Sequence, residues 1–313
     1  MQALQEQTYP PGLFEIIVVD DHSTDATAAA VQQFPKAMLI QVKEDGINSY
    51  KKKAIETGIA AATGEWIVTT DADCLPSRDW LKTLTAFREE KDAVFIAAPV
   101  VMDCNSSVLQ VFQAMDFMVL QGITGAAVYK KQLSMCNGAN LAYEKKAFEK
   151  VNGFDGIDNI ASGDDMLLMH KIWKEYPGKV HYLKSKEAIV STQPMKSWKD
   201  FFSQRIRWAS KAKHYSDKKI VAVLILVYLF NLSFLLLLVA GSWSRPYWVW
   251  LIGLWLAKMI IEFPFVYSVS SFFGKQFLMK FFFFFQPLHI FYTIVSGLLG
   301  QLGKYEWKGR RVR

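Results

Sequence analysis

Two pairs of closely spaced aspartates follow apolar runs in this 313-residue chain, and they are the residues best suited to chemistry. Asp20 and Asp21 end the run "EIIVV", and Asp71 and Asp73 come directly after "EWIVTT". Residues two apart in an extended segment face one side, so the carboxylates of Asp71 and Asp73 would repel unless a cation lay near them. Such hard oxygen ligands favour Mg²⁺ or Mn²⁺, whose coordination diphosphate oxygens can complete. The spacing therefore predicts a divalent-metal site for a diphosphate.

The elements that must position these carboxylates alternate between strand and helix. Residues 15–19 and 66–70 are β-rich, and the stretches between them have helical composition. This βαβ alternation predicts an α/β fold with a mostly parallel sheet. Ligands of such sheets bind outside the carboxyl ends of the strands, where both acidic pairs would lie.

Each acidic or basic group also has a purely structural interpretation. Asp25 is placed to cap the helix that follows it, and Asp164 with Asp165 could cap the helix "MLLMHKIW". The run "YKKK" at 50–53 could be a solvated helix start, because charge runs usually face water. These alternatives stay open at the level of the sequence.

Charge and hydrophobicity divide the chain near residue 195. Residues 1–195 hold 19 Lys and Arg against 25 Asp and Glu, whereas residues 196–313 hold 17 against 4. Because the basic part is also the apolar part, its charges suit lipid headgroups, and no nucleic-acid-binding signature favours RNA or DNA. Three cysteines without a CxxC spacing argue against a disulfide framework or a zinc site and fit a reducing compartment.

Three long apolar segments follow. Residues 220–241 carry no charge over 22 positions, enough to cross a bilayer core of roughly 30 Å. Residues 247–269 and 281–303 are further candidates, and in the first of these Lys258 and Glu262 could pair at i, i+4 or line the bundle interior. The alternative is a buried helical core.

The positive-inside tendency limits how many of these segments cross. If the basic residues 211–219 are cytoplasmic, three crossings would place "KGRRVR" outside, so we expect two or three spans, with a re-entrant or interfacial segment as the alternative to a third crossing. Residues 106–128 are apolar too, but Gln113, Asp116 and Gln121 argue against lipid contact. That segment is interpreted as an amphipathic helix or the wall of an acceptor site.

Five motifs occur in one order along residues 8–215: "VVDDHSTD", "GEWIVTTDADC", "NGANLAY", "GDDMLL" and "QRIRW". In order and approximate spacing they resemble the family 2 inverting glycosyltransferases of GT-A fold. The resemblance is greatest to membrane-bound members such as cellulose, chitin and hyaluronan synthases and ceramide glucosyltransferase. It implies transfer of a sugar from a UDP-linked nucleotide-sugar donor, with Mg²⁺ or Mn²⁺ as cofactor.

The resemblance also implies a role for each donor-side residue. Asp20, Asp21 and Lys51 would contact the nucleotide. Asp71 and Asp73 would form the DxD metal site, and Asp71 would also contact the donor.

A second set of implied roles concerns catalysis. Asp165 would be the general base that takes the proton of the acceptor hydroxyl, since inversion needs a carboxylate opposite the leaving group. Asp164, where relatives commonly carry Glu, would shift the pKa of Asp165 by like-charge repulsion.

On the acceptor side, Gly138 and Asn140 would allow close approach or contact sugar hydroxyls. Gln204, Arg207 and Trp208 match QxxRW and would share one helical turn. There Arg207 could neutralise the diphosphate and Trp208 could stack on the acceptor sugar. An interfacial helix that attaches the domain to lipid is an alternative compatible with this role.

The expected organisation has four parts. Residues 1–195 form the GT-A domain, 196–219 an interfacial QxxRW segment, 220–303 a membrane domain and 304–313 a basic tail. Family members begin with a further apolar strand and a P-x-x-N-E loop, so the sheet is expected to lack its first strand. We expect a multi-pass membrane protein with its catalytic domain on the cytoplasmic side and a lipid or glycan acceptor.

Two other functions remain open. A truncated or inactive transferase domain could serve as a membrane assembly subunit. A metal-dependent nucleotidyltransferase could use similar acidic ligands, but it would leave QxxRW and the apolar segments unexplained.

Overall fold

The computed structural model describes residues 1–43, 49–105, 107–132, 136–158, 160, 163–215, 217–302, 305–307 and 310–312. The chain divides into two compact units. The first is built mainly from residues 1–101 and 123–193, and the second from 102–122 and 194–311. The main junction thus lies close to the predicted boundary at 195, but residues 102–122 belong to the second unit rather than the first.

The strands of the N-terminal part are short. They are β1 (Ile16–Asp20), β2 (Ala37–Gln41), β3 (Trp66–Thr69), β4 (Leu75–Pro76), β5 (Phe95–Ala97), β6 (Val100–Met102), β7 (Leu141–Glu144), β8 (Val180–Tyr182) and β9 (Val190–Thr192). The helices of this part are α1 (Gln2–Gln5), α2 (Thr27–Gln32), α3 (Tyr50–Ala61), α4 (Trp80–Lys91), α5 (Val108–Tyr129), α6 (Lys145–Lys150) and α7 (Asp164–Glu175), with a 3₁₀ turn at Pro11–Leu13.

The sheets are mixed, so the prediction of a mostly parallel sheet is wrong. Strand β1 pairs with β2 in parallel, as the βαβ pattern predicted. In the four-stranded sheet β3-β7-β5-β8, however, β7 is antiparallel to both β3 and β5, and only β8 is parallel to its neighbour β5. The third sheet has the order β4-β9-β6, with β4 antiparallel to β9. The pattern of β1 and β3 carried no information about β7, which follows the long helix α5.

The core of the first unit follows from the two-residue period of its strands. Phe95 pairs with Tyr143 and packs on one face, while Ile96 pairs with Ala142 and packs on the other. All four side chains are at most 1% exposed, so apolar helices cover both faces. Trp80 of α4 is buried on the same face of the sheet as Ile96 and Ala142.

The second unit is helical. Its elements after residue 194 are α8 (Trp198–Ser210), a 3₁₀ turn (Lys211–His214), α9 (Lys218–Gly241), α10 (Pro246–Phe272), a second 3₁₀ turn (Gln276–Phe281), α11 (Phe282–Leu302) and the paired strands β10 (Tyr305–Trp307) and β11 (Arg310–Val312). Ser197 caps α8, since its hydroxyl accepts a hydrogen bond from the backbone N–H of Asp200 at 3.1 Å.

Among the residues that the structure describes, four helices are long and apolar enough to cross a membrane: Val108–Tyr129, Lys218–Gly241, Pro246–Phe272 and Gln276–Leu302. They differ in burial: 67% of the apolar stretch of α5 is buried in the protein, against 17% of the corresponding stretches of α9 and α10. The three predicted apolar helices after residue 218 are therefore present. Lys258 pairs with Glu262 at 2.6 Å with only 4% of Lys258 exposed, which confirms the predicted i, i+4 pair.

Candidate active site

The loop after β1 contacts the start of α3. Asp20 is 5% exposed, and its Oδ1 accepts a hydrogen bond from the backbone N–H of Ser23 at 3.1 Å. Asp21 Oδ1 lies 3.0 Å from Nδ1 of His22, and the imidazole meets the ring edge of Tyr50 with centroids 6.2 Å apart. Since Tyr50 is the first residue of α3, the loop after β1 reaches the helical turn that carries Lys51.

Asp25 has the local structural role that the sequence allowed. Its Oδ1 accepts a hydrogen bond from the backbone N–H of Thr27, the first residue of α2, at 2.9 Å. Hydrogen bonds from the side chain and backbone of Thr27 lower the pKa of Asp25. Asp25 thus stabilises the helix start, and no donor contact is assigned to it.

Lys51 links two of the predicted carboxylates. Its ammonium lies 2.7 Å from Oδ1 of Asp71 and 3.4 Å from Oδ2 of Asp164. Burial alone would lower the pKa of Lys51, but the charges of Asp164 and Asp71 raise it well above its ordinary value. The lysine therefore stays protonated at neutral pH and neutralises part of an otherwise acidic site.

The DxD segment forms a turn rather than the extended segment that the sequence suggested. The backbone N–H of Cys74 donates to the carbonyl oxygen of Asp71 at 3.0 Å, and this hydrogen bond closes the turn. One ligand atom each from Asp71, Asp73 and Cys74 lie within 4.8 Å of one another. Two carboxylates at this separation fit a divalent cation, so these residues could hold Mg²⁺ or Mn²⁺.

Cys74 was not predicted at this site. Its Sγ lies 3.7 Å from Oδ1 of Asp73, and burial together with the charges of Asp71 and Asp73 raises the pKa of the thiol to about 12. As a neutral thiol it adds no charge beside the two carboxylates. The sequence signal for its position was only its place directly after the DxD residues.

The acidic pair 164–165 opens helix α7 instead of preceding it. Gly163 is the N-cap residue, in the left-handed region with φ of 84°, and the carboxylates lie in the first turn, where the helix dipole favours negative charge. Asp165 accepts hydrogen bonds from the backbone N–H groups of Gly138 at 3.2 Å and Met166 at 2.8 Å. Asp164 is 9% exposed and faces Lys51.

Gly138 leaves room for this cluster of charges. A Cβ at this position would lie 3.1 Å from Oδ2 of Asp164 and 3.2 Å from the ammonium of Lys51. The carbonyl oxygen of Gly138 also accepts a hydrogen bond of 3.4 Å from the hydroxyl of Thr69. Glycine here allows the backbone to approach the ion pair, which gives a physical reason for its predicted place at the site.

The structure corrects the predicted role of Asn140 at the acceptor side. Its side chain has no exposed surface, and its Nδ2 donates to the carbonyl oxygens of Pro99 and Ala188 at 2.8 Å each. Its Oδ1 accepts a hydrogen bond from Nε1 of Trp80 at 2.9 Å. Since its polar atoms are all engaged in the core, Asn140 supports the fold and cannot contact acceptor hydroxyls.

Lys52 is a residue that the sequence analysis missed. It is 2% exposed, and its ammonium donates to the carbonyl oxygens of Ile157 and Ile160 at 2.5 Å each. The interpretation of "YKKK" as a solvated helix start is therefore wrong for Lys52, whereas Lys51 is 33% exposed and ion-paired. A lysine run gives no sequence signal that separates buried members from exposed ones.

The QxxRW residues lie in the second unit. Gln204, Arg207 and Trp208 all belong to α8, as predicted. The ring of Trp208 is tilted against that of Phe117 with centroids 6.1 Å apart. The buried member of this segment is Arg205, which the sequence analysis did not single out.

Comparison with known families finds a similarity in the N-terminal part of the chain. Residues 1–151 match the family model "Glycosyl transferase family 2". Residues 1–151 are therefore similar to family 2 glycosyltransferases, in agreement with that part of the predicted resemblance. The matched range includes Lys51, Asp71, Asp73 and Gly138 and ends before Asp164.

Individual relatives agree with this class. The chain is 26% identical over 216 residues to the probable glycosyltransferase YdaM of Bacillus subtilis, which covers 67% of this chain and 50% of YdaM. It is 31% identical over 91 residues to the poly(ribitol-phosphate) β-N-acetylglucosaminyltransferase TarS of Staphylococcus aureus, covering 29% of this chain and 16% of TarS. The chain thus spans about half the length of YdaM and less of TarS.

Among solved structures, TarS residues 1–349 in complex with UDP-GlcNAc match with a TM-score of 0.49 and 16% identity over 99% of this chain and 90% of the TarS chain.

Proposed function

We propose that this protein is an inverting glycosyltransferase that moves a sugar from a nucleotide-sugar donor, UDP-linked, to a lipid or glycan acceptor at a membrane. The observation that carries the proposal is the link from Lys51 to both Asp71 and Asp164. It joins the predicted metal site and the predicted base region in one unit. The family 2 match over residues 1–151 supports the same class of reaction.

The donor would bind beside the DxD turn. When bound to Asp71 and Asp73, a divalent cation supplies positive charge that stabilises the departing nucleoside diphosphate. Lys51 adds a fixed positive charge at the same place, and Asp20 and Asp21 at the end of β1 are assigned to the nucleoside. These roles account for the concentration of carboxylates at the strand ends.

Asp165 is assigned as the general base. Its carboxylate would take the proton from the acceptor hydroxyl as that oxygen attacks the anomeric carbon, and the bond from that carbon to the diphosphate oxygen breaks on the opposite face. The N–H groups of Gly138 and Met166 fix the carboxylate's orientation. Asp164 holds Lys51 in place and adds negative charge beside the base.

Membrane attachment is part of the proposal. Helices α9, α10 and the segment Gln276–Leu302 are assigned as membrane segments because they are long and apolar, and α9 and α10 carry many exposed apolar side chains. Residues 196–219 carry eight Lys and Arg against two Asp, which suits the cytoplasmic interface and puts the catalytic domain on that side. Helix α5 is assigned to the protein interior, since Asp116 on it is buried and ion-paired.

The test is release of UDP from a panel of UDP-sugars by the full chain in membranes, with and without Mn²⁺ or Mg²⁺. UDP-GlcNAc belongs in the panel because the relative TarS is named as an N-acetylglucosaminyltransferase. We expect metal-dependent release that Asp165→Asn abolishes while UDP binding persists.

The control is Asp155→Asn, which removes a carboxylate from an exposed position outside the proposed site. It should leave UDP release unchanged. Absence of turnover with every donor would contradict the proposal and favour a non-catalytic assembly role. Release of pyrophosphate from a nucleoside triphosphate would instead identify a nucleotidyltransferase.

A further inference from the structure

A buried ion pair inside the second unit joins the QxxRW helix α8 to helix α5. Nη2 of Arg205 donates to Oδ2 of Asp116 at 2.8 Å, and each side chain is only 3% exposed. Asp116 lies on α5, which is distant from α8 in sequence. A buried ion pair of this kind costs desolvation energy, so its retention requires close geometry and further hydrogen bonds.

Those further contacts surround Asp116. The hydroxyl of Tyr292 on α11 donates to Oδ1 of Asp116, and Nε2 of His289 lies 3.9 Å from the same oxygen. The ring of Tyr292 packs edge-on against Phe201 of α8, with centroids 5.4 Å apart. The carboxylate of Asp116 is thus held by Arg205 of α8 and by Tyr292 of α11. Because Asp116 is fixed in this way, the guanidinium of Arg205 has one defined position.

Arg205 in turn contacts two residues of the motif. Its guanidinium lies over the ring of Trp208, 4.2 Å from the centroid, and over the ring of Phe201 at 4.9 Å. Its Nη1 donates to Oε1 of Gln204 at 3.0 Å. A planar guanidinium can stack on an aromatic ring and donate in its own plane at the same time, which an ammonium cannot.

We propose that Arg205 is a positioning residue: anchored by Asp116, it fixes the orientations of Trp208 and Gln204 at the acceptor side of the transfer. The proposal rests on the proposed function and on the family resemblance, which implies that the QxxRW residues Gln204 and Trp208 lie at the acceptor side. The two arginines of "QRIRW" then differ in role: the resemblance implies that Arg207 meets the diphosphate, whereas Arg205 is buried and paired with Asp116.

Burial excludes a direct substrate role for Arg205. To meet a diphosphate, its guanidinium would have to leave Asp116, and an unpaired carboxylate would then stay buried. Breaking such a pair is strongly unfavourable. Arg205 therefore acts through the side chains that it touches.

The first experiment measures the position of Trp208 directly. The full chain, purified in detergent with 5-fluorotryptophan at its ten tryptophans, is compared by fluorine NMR with its variants. The Trp208 resonance is assigned by its loss in Trp208→Phe. In Arg205→Lys and Arg205→Met we expect it to shift or broaden, because the stacked guanidinium is gone.

Lys258→Met is the matched control. It also removes a cation from a buried ion pair of the second unit, but no hydrogen bond or stacking contact described for Lys258 involves the QxxRW residues. The fluorine chemical shift of Trp208 in Lys258→Met should equal that of the unsubstituted chain. If Arg205→Met does not fold, Arg205→Lys, which keeps a positive charge for Asp116, still decides the question. An unchanged Trp208 resonance in Arg205→Lys would overturn the proposal.

The second experiment ties positioning to turnover. Arg205→Lys should lower kcat about tenfold and leave the KM for the UDP-sugar within about twofold, because the donor side is untouched. In the Trp208→Phe background the same change should add little, since the two residues act as a unit. Independent, multiplying effects on kcat would overturn the proposal. If the chain turns over no donor, the proposed function fails, while the NMR result still decides whether Arg205 positions Trp208.

Discussion

The ammonium of Lys51 lies 2.7 Å from Oδ1 of Asp71, so a lysine of α3 is paired with a carboxylate assigned to the metal. A divalent cation placed on Asp71 and Asp73 would meet this positive charge at close range. Lys51 and the cation therefore compete electrostatically for Asp71 until an anionic diphosphate joins them. The same lysine also screens Asp71 from Asp164 when no cation is bound.

Replacing Lys51 by Met tests this competition. Without nucleotide, Mn²⁺ should bind about tenfold more tightly, because removal of a charge a few Å away relieves on the order of 1 kcal/mol of repulsion. Turnover should nevertheless fall by about two orders of magnitude, since the diphosphate loses a fixed cation. Mn²⁺ affinity is measured by electron paramagnetic resonance of the free ion. Lys82→Met, at an exposed position of α4, is the charge-matched control, and equal Mn²⁺ affinity in both variants would refute the competition.

Gly138→Ala tests the space beside the ion pair. The new methyl group would lie 3.1 Å from Asp164 and 3.2 Å from Lys51, so these flexible side chains must give way by a few tenths of an ångström. We expect turnover to fall about tenfold, equivalent to about 1.4 kcal/mol in the activation free energy. The thermal unfolding midpoint should change little. Gly64→Ala is the control, because its Cβ would meet nothing closer than 3.8 Å.

Asn140→Ala separates a role in the fold from a role in substrate binding. The substitution leaves Trp80 Nε1 and two carbonyl oxygens without their buried partner, which should cost about 3 kcal/mol or more in the free energy of unfolding. The folded fraction should keep the wild-type KM for acceptor. Asn137→Ala removes a half-buried side chain that accepts one hydrogen bond, from Ala139, and should cost about 1 kcal/mol. A rise in acceptor KM without a loss of stability in Asn140→Ala would restore the acceptor role.

Gly300 tests how α11 packs on α8. A Cβ on Gly300 would lie 2.8 Å from the Cβ of Ala209 and 3.0 Å from the backbone nitrogen of Ser210, contacts too close to be relieved by side-chain rotation. Gly300→Ala should therefore lower the free energy of unfolding by about 1–3 kcal/mol, which is seen as a lower thermal unfolding midpoint in detergent. Gly253→Ala on α10 has nothing within 4 Å and should be neutral or slightly stabilising. Equal midpoints for the two variants would show that α8 and α11 do not pack closely here.

The sequence predicted the elements and residues whose signals are local. The strand β1 ending in Asp20, the helical QxxRW segment and the apolar helices after residue 218 follow from short periodic patterns and charge. The sequence predicted a helix after Asp165 and the DxD residues after β3, but it placed the acidic pair before α7 and the DxD residues in an extended segment, whereas the pair opens α7 and the DxD residues form a turn. Cap and turn geometry depends on single hydrogen bonds, such as the one from Cys74 to Asp71.

The parts that could not be predicted depend on contacts between distant residues. Asn140 was expected at the acceptor side because nothing nearby in sequence indicates that Trp80 and Ala188 supply its partners. The antiparallel insertion of β7 between β3 and β5 and the pairing of Asp116 with Arg205 are of the same kind. Each joins segments that lie 40 or more residues apart in the printed sequence, where local patterns carry no information.

The two neighbouring lysines of α3 have separate partners: Lys51 contacts Asp71 and Asp164, and Lys52 holds the carbonyl oxygens of Ile157 and Ile160. Because the latter carbonyls belong to the segment just before α7, one rigid helical turn sets the distance between the metal carboxylates and the base region. For protein engineering, this turn is a poor place for insertions or deletions. A one-residue slip would rotate both ammonium groups by about 100° and detach both halves of the site together.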